Sequence, residues 1–287
     1  TLSLHAALPI SVYFRMAEKF ANLRREGTLG AMCCWNFGNL PSPNTELANA
    51  YFWTPQPRRA GDYLRGVAER DFGPAAAAAV VQAWRWFSKA ADHYPHNIPL
   101  LYWGPQHFGP AFPLFFHKVD RHMPIPWLLP AEVAYDTSFS WMAFVDFGDQ
   151  IANYLGPFSA EKLVSCIDAL LADWVKGHAI LTRALQRSPK RFRANATREL
   201  TVAGAVMSQF TTLRHVTEFT SRRDRYWASE DPTEKREILG RLLEIAGAEV
   251  ENARFCKGLA LRNPQLGFHG EAMRSEEHTS ELQSPNT

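Results

Sequence analysis

The strongest constraint on this chain lies in its last third. Between Ser159 and Cys256, apolar residues recur at helical spacing in three long runs. The first carries Leu163, Ile167, Leu170, Trp174, His178, Leu181 and Leu185. The second, from Arg193 to Trp227, carries Leu200, Ala203, Met207, Phe210 and Leu213. The third carries Ile238, Leu242, Ile245, Ala253 and Cys256. Residues three and four apart share a helix face, so each run predicts an amphipathic helix. Ser159 suits the N-cap of the first. Ser188-Pro189 breaks the chain before the second. Asp231-Pro232-Thr233-Glu234 combines a cap, a first-turn proline and an acid for the third. Links this short demand antiparallel neighbours, hence a helical bundle over residues 157–273. His178 lies on an apolar stripe and reads as a core histidine, since no other metal-ligating side chain converges on it.

Upstream, further helices are expected over Val12–Glu26, from Asn44 or Thr45 to Phe52, over Arg58–Arg70, and from Pro74 to about His93. Gly27 is the expected stop of the first. Trp84 and Trp86 cannot share a face; one belongs to the core and the other to a neighbouring element. Tyr94 to Pro130 differs. It holds eight prolines, at 95, 99, 105, 110, 113, 124, 126 and 130, and is rich in aromatics. Regular helix is excluded over most of it, and Leu101–Pro113 reads as a long ordered loop. Such a loop either serves function or straps over neighbouring elements. Residues from Glu132 to Gly156 continue as irregular structure, with Asp136, Trp141, Asp146 and Asp149.

One stretch stands apart. Leu29 to Glu46 begins with an apolar run that ends at Trp35 and Asn36, then becomes a polar loop. An apolar run flanked by helices suggests a buried parallel strand. Function in parallel-strand folds gathers after a strand's C-terminal end. Trp35, Asn36, Asn39, Asn44 and Glu46 occupy that position. One aromatic face, three amides and one carboxylate suit a sugar ring and its hydroxyls. They do not form the carboxyl pair that glycoside hydrolysis uses. Glu46 falls where a helix should begin, and stabilising that N-terminus is its simpler role. Trp103 and His107, from the aromatic loop, are the other candidate sugar contacts.

Charge and cysteines exclude several classes. The formal charge is +2 over 287 residues, with both signs mixed along the chain. Nucleic-acid binding requires a concentrated basic surface, and the clusters at 187–193 and 222–225 read as solvated helix ends. Four cysteines, two adjacent at Cys33-Cys34, do not form a disulfide framework, and Cys166 and Cys256 read as reduced buried thiols. Neither a zinc-ligand spacing nor an apolar run of membrane-spanning length occurs. No cofactor, metal, nucleic-acid or membrane partner is expected. The termini are expected to be non-native. Thr1–Ile10 resembles a translated sequencing adapter, and the tail from Arg274 resembles the opposite one.

A family resemblance rests on four segments. These are Gly30 to Glu46, Arg70-Asp71-Phe72-Gly73, Ala83-Trp84 through Tyr94-Pro95, and Leu266-Gly267-Phe268-His269-Gly270-Glu271-Ala272. Together they resemble the C-terminal portion of large bacterial glycoside hydrolases of the β-hexosaminidase and α-glucuronidase type. The resemblance implies a mainly α chain: the last βα unit of a truncated (β/α)8 barrel over 11–56, helices with an aromatic loop over 57–156, then the bundle. It implies that Trp35 lines the sugar pocket and that the catalytic carboxylates lie on barrel strands outside this chain. The missing N-terminal barrel would be its partner, a carbohydrate its substrate, and the piece alone inactive. The competing reading is a helical interaction or scaffolding domain whose aromatic loop contacts protein. A helical nucleic-acid binder is the third.

Overall fold

In the computed structural model the described residues are 12–30, 43–53, 57, 59–97, 100, 104–107, 109, 110, 112, 114–117, 151–186 and 188–267. Among them the fold is mainly α, with no strand. The expected strand falls mostly in residues 31–42, outside the described residues; Leu29 and Gly30 at its start are irregular. The helices are α1 (Tyr13–Arg25), α2 (Pro43–Phe52), α3 (Ala60–Phe72), α4 (Pro74–Ala90), the single turn α5 (Ala152–Leu155), α6 (Ala160–Leu185), α7 (Arg193–Ala228) and α8 (Pro232–Arg262). The chain divides into two compact units.

The first unit comprises residues 1–94, 169–207 and 259–266. Helix α1 ends because Gly27 adopts a φ of 78°, and the amide of Thr28 turns back to the Leu23 carbonyl. Such a left-handed residue is the usual glycine stop. Gly73 separates α3 from α4 at a φ of 90°, and a Cβ there would lie 2.6 Å from the Phe192 ring. Conformation and close approach both require glycine. Pro74 follows as the first residue of α4, as its sequence position predicts.

The core of this unit is aromatic. Trp84, Trp174, Tyr13, Phe20 and Phe87 are fully buried, with Leu47 and Leu64. Tyr13 meets Trp84 edge-on at 4.6 Å between centroids, and Phe87 stacks on Trp174 at 4.3 Å. Both indole N–H groups are satisfied: Trp84 donates to Glu199 Oε1 at 2.7 Å and Trp174 to the Ala203 carbonyl at 2.9 Å. Burying an indole requires such a partner. Trp86 lies outside this core, with the Lys89 and Lys176 ammonium groups over its ring.

The second unit comprises residues 95–168, 208–258 and 267–287. Ser159 caps α6 by accepting the Lys162 amide, and Asp231 caps α8 by accepting the Thr233 amide at 2.8 Å. Glu234 does not close the reciprocal half of that cap. It binds Ser229 Oγ and Arg225 instead.

Side-chain contacts tie the long helices together in each unit. In the second unit, Asp168 of α6 reaches Arg214 of α7, while Ser208, Thr212 and Glu218 of α7 reach Asn252, Glu249 and Arg241 of α8. In the first unit, Trp174 reaches Ala203 and Asn263 reaches Thr201. Within the second unit α8 runs backward as α7 advances, as a short link requires. The long α7 departs from a one-sided stripe. Residues 201–206 and 215–220 are all buried, polar ones included.

Candidate functional site

Two groupings in the second unit combine chemistry with position. The first is a buried polar network between α7 and α8. The Glu249 carboxylate accepts from Thr212 Oγ1 at 2.6 Å and pairs with His215 Nδ1 at 2.6 Å. Asn252 Nδ2 donates to the Ser208 carbonyl and to Thr212 Oγ1, both at 3.0 Å, while Ser208 Oγ donates to Asn252 Oδ1 at 2.7 Å. Burial pushes the nearby Cys256 thiol up, keeping it protonated and unreactive. One turn along α7, burial alone would raise Glu218. Hydrogen bonds from Arg241 and Arg222 and the charge of Arg214 outweigh it and hold the carboxyl at about 2. Every charged member here is hydrogen-bonded to another, which suits helix registration.

The second grouping is an aromatic ledge with solvent access. Its backbone comes from the proline-rich segment. The Leu100 amide donates to Asn97 Oδ1, the Gln106 side chain caps the Leu100 carbonyl, and residues Pro105–His107 form one 3-10 turn. Further on, Arg223 of α7, fully buried, donates to the Phe115 carbonyl at 3.2 Å, and Trp227 Nε1 donates to the Phe116 carbonyl at 2.8 Å. These anchors set Phe116 and His117 beside Tyr226 and Trp227, with centroids 5.1 Å from Phe116 to Trp227 and 5.2 Å from His117 to Trp227. Trp227 remains 47% exposed, with its N–H already engaged. Beneath it, Leu114, Phe116 and Tyr226 pack on the buried cluster of Phe219, Ile238, Leu242 and Ile245.

The expected site residues do not all fall within the described region. Trp35, Asn36, Asn39 and Trp103 lie outside it, as does the His107 side chain. Asn44 and Glu46 sit in the first turns of α2, in the first unit. Asn44 is buried. Glu46 accepts hydrogen bonds from both terminal guanidinium nitrogens of Arg70, at 2.7 and 2.9 Å, and Arg70 also binds Asp71. This bidentate clamp ties α2 to α3. Sequence reasoning passed over the ledge. Tyr226-Trp227 beside a helix-ending Ser-Glu-Asp-Pro was a visible signal, but only the fold brings positions 116 and 117 to it.

Among the described residues no group of histidine, cysteine and acidic side chains could hold a metal ion, and no helix is long and apolar enough to cross a membrane. Cys166 and Cys256 are free thiols, each half-buried on its helix; Cys33 and Cys34 lie outside the described residues. No family model, curated protein or solved structure matches the chain.

Proposed function

We propose that this chain is a mainly helical part of a carbohydrate-active protein of the glycoside-hydrolase type, and that by itself it binds sugar without cleaving it. The missing barrel would supply the catalytic carboxylates. In the first unit Trp35, Asn36 and Asn39 would contact substrate there. Glu46, clamped by Arg70, would position the loop rather than touch sugar.

The observation that supports this reading most is the half-exposed Trp227 indole. Its ring plane is set by a hydrogen bond at the N–H and by aromatic neighbours on its flank. A pre-oriented aromatic surface bearing no unmet donor suits the apolar face of a pyranose. Titration calorimetry against a panel of oligosaccharides tests it. At least one pyranose oligomer should bind, Trp227→Ala should weaken that binding at least about tenfold, roughly 1.4 kcal/mol, and aryl glycosides should not turn over. Absence of binding to every oligosaccharide would remove the proposal.

The interaction-domain reading draws on the same ledge, since exposed tryptophan is also enriched where proteins meet. A ledge that captures a protein but no sugar would favour it.

A further inference from the structure

We propose that the outward face of α8 is a parallel two-fold contact between two copies of this chain. Helix α8 is apolar on two faces. One, with Ile238, Leu242 and Ile245, is buried within the second unit. The other carries Leu239, Leu243 and Val250, which are 38%, 67% and 49% exposed. Ala246, which falls between Leu243 and Val250, packs on the buried cluster instead. Steps of four and seven residues keep the exposed three on one helix face, as in a helix–helix seam. Water faces a ridge that a solitary surface helix would make polar.

Beside the ridge runs a corridor. Gly240 and Gly247, seven residues apart, flank the leucines, and a Cβ added at either would meet nothing within 4 Å. Among the described residues no element fills that space. Glycine in mid-helix costs about 1 kcal/mol against alanine, so two at one heptad position, both open, fit a surface that another backbone approaches. A ridge beside a groove matches itself under a two-fold axis parallel to the helix. That operation lays each ridge over the partner's groove at the same height. Leu243 then enters the gap between Gly240 and Gly247 of the second copy.

Charge selects the parallel arrangement. Glu237, Glu244 and Glu251 also recur every seven residues and line the glycine side, all exposed. Lys235 and Lys257 lie on the leucine side, while Arg236 and Arg254 end the apolar stretch. Glu244 and Glu251 each pair with an arginine of the same helix, Arg241 and Arg254, and Arg241 also binds Glu218 of α7. Parallel pairing brings each acidic row against the partner's lysine side. Antiparallel pairing would bring the acidic row against itself, which repels. One helix face is smaller than the standard interface of about 800 Å² per partner, so a dissociation constant of about micromolar order is expected.

Sedimentation equilibrium over a hundredfold concentration range tests the contact. The intact chain should move from monomer to dimer. Leu243→Glu, at an exposed position, should keep its helical circular dichroism and weaken association at least about tenfold, as a buried interfacial charge does. Under mild oxidation Leu243→Cys should give a covalent dimer that the parent chain, with its own cysteines, does not. A chain that stays monomeric would overturn the proposal, alone or with another protein seated on α8. So would a dimer indifferent to Leu243→Glu, or one in which Leu243→Cys fails to cross-link. Sugar binding at Trp227 is read separately and is unaffected by any of these outcomes.

Discussion

The two units solve the same problem, filling the space between helices, with different mixtures of side chains: the first leans on aromatic rings, the second adds a buried polar network to its apolar cluster. In the first, indoles and phenyl rings occupy the interior, and the Glu199 carboxylate serves the Trp84 N–H. In the second, α7 and α8 meet through Ser208, Thr212, His215, Glu249 and Asn252, with the Glu218 arginine cluster alongside. One helix takes part in both. The 202–206 stretch of α7 offers Val202, Ala203, Ala205 and Val206 to the first unit, whereas 212–223 offers Thr212, His215, Thr217, Glu218 and Arg223, together with Leu213, Val216 and Phe219, to the second. An aromatic core gains stability from area and shape, without directional demands. A polar core gains less net energy, but it penalises any register that leaves a buried donor or acceptor unmet.

The largest expected effect is in the aromatic core. Trp84→Ala should cost about 3–5 kcal/mol, the range for deleting a buried aromatic, and it also strips Glu199 of its indole donor. Denaturant unfolding measures it. A loss below about 1 kcal/mol would mean that the first unit does not depend on this ring. In the polar core, Glu249→Ala should cost about 2–4 kcal/mol by orphaning Thr212 and His215. The combined replacement Thr212→Val, His215→Leu and Glu249→Leu should recover most of that loss. If the triple variant is as unstable as the single, the network is a source of stability rather than of register, and the two units do not differ in this respect.

Acid sharpens the comparison with a smaller signal. The folded Glu218 carboxyl titrates at about 2, below its ordinary range near 4.5. A depressed folded value contributes stability that is complete above the unfolded value and lost as pH falls through the folded one. The second unit should therefore weaken between pH of about 4.5 and about 2, by an amount of order 1–3 kcal/mol. In the first unit, burial alone would raise Asp173, yet hydrogen bonds from Lys176, Lys89 and His93 hold it at about 2. It adds a similar but smaller loss, because its lysine partners are half exposed. Thermal melts of Glu218→Gln against pH should show lower stability at neutral pH and a flatter acid limb. An unchanged acid slope in that variant would assign the acid sensitivity elsewhere.

Helix positions were legible before any coordinates. Spacing placed α1, α4, α6, α7 and α8 within a few residues, and the buried face of α6 is the one that Leu163, Ile167, Leu170, Trp174, Leu181 and Leu185 marked. His178, marked on the same stripe, is half-buried, and burial lowers its pKa. The separate fates of Trp84 and Trp86 also followed from their spacing. The candidate site was legible only in part. Glu46 proved to be committed to Arg70, and the ledge around Trp227 depends on a carbonyl more than a hundred residues away.

Local chemistry therefore determined where the helices start, stop and turn their apolar stripes, because capping, proline geometry and periodicity act over a few residues. Tertiary structure alone decided that α7 is buried nearly all round, that its polar side chains meet complementary ones on α8, and that Leu243 faces water. Burial and hydrogen-bond satisfaction belong to pairs of residues distant in the chain. No periodicity in one strand of sequence states what stands opposite.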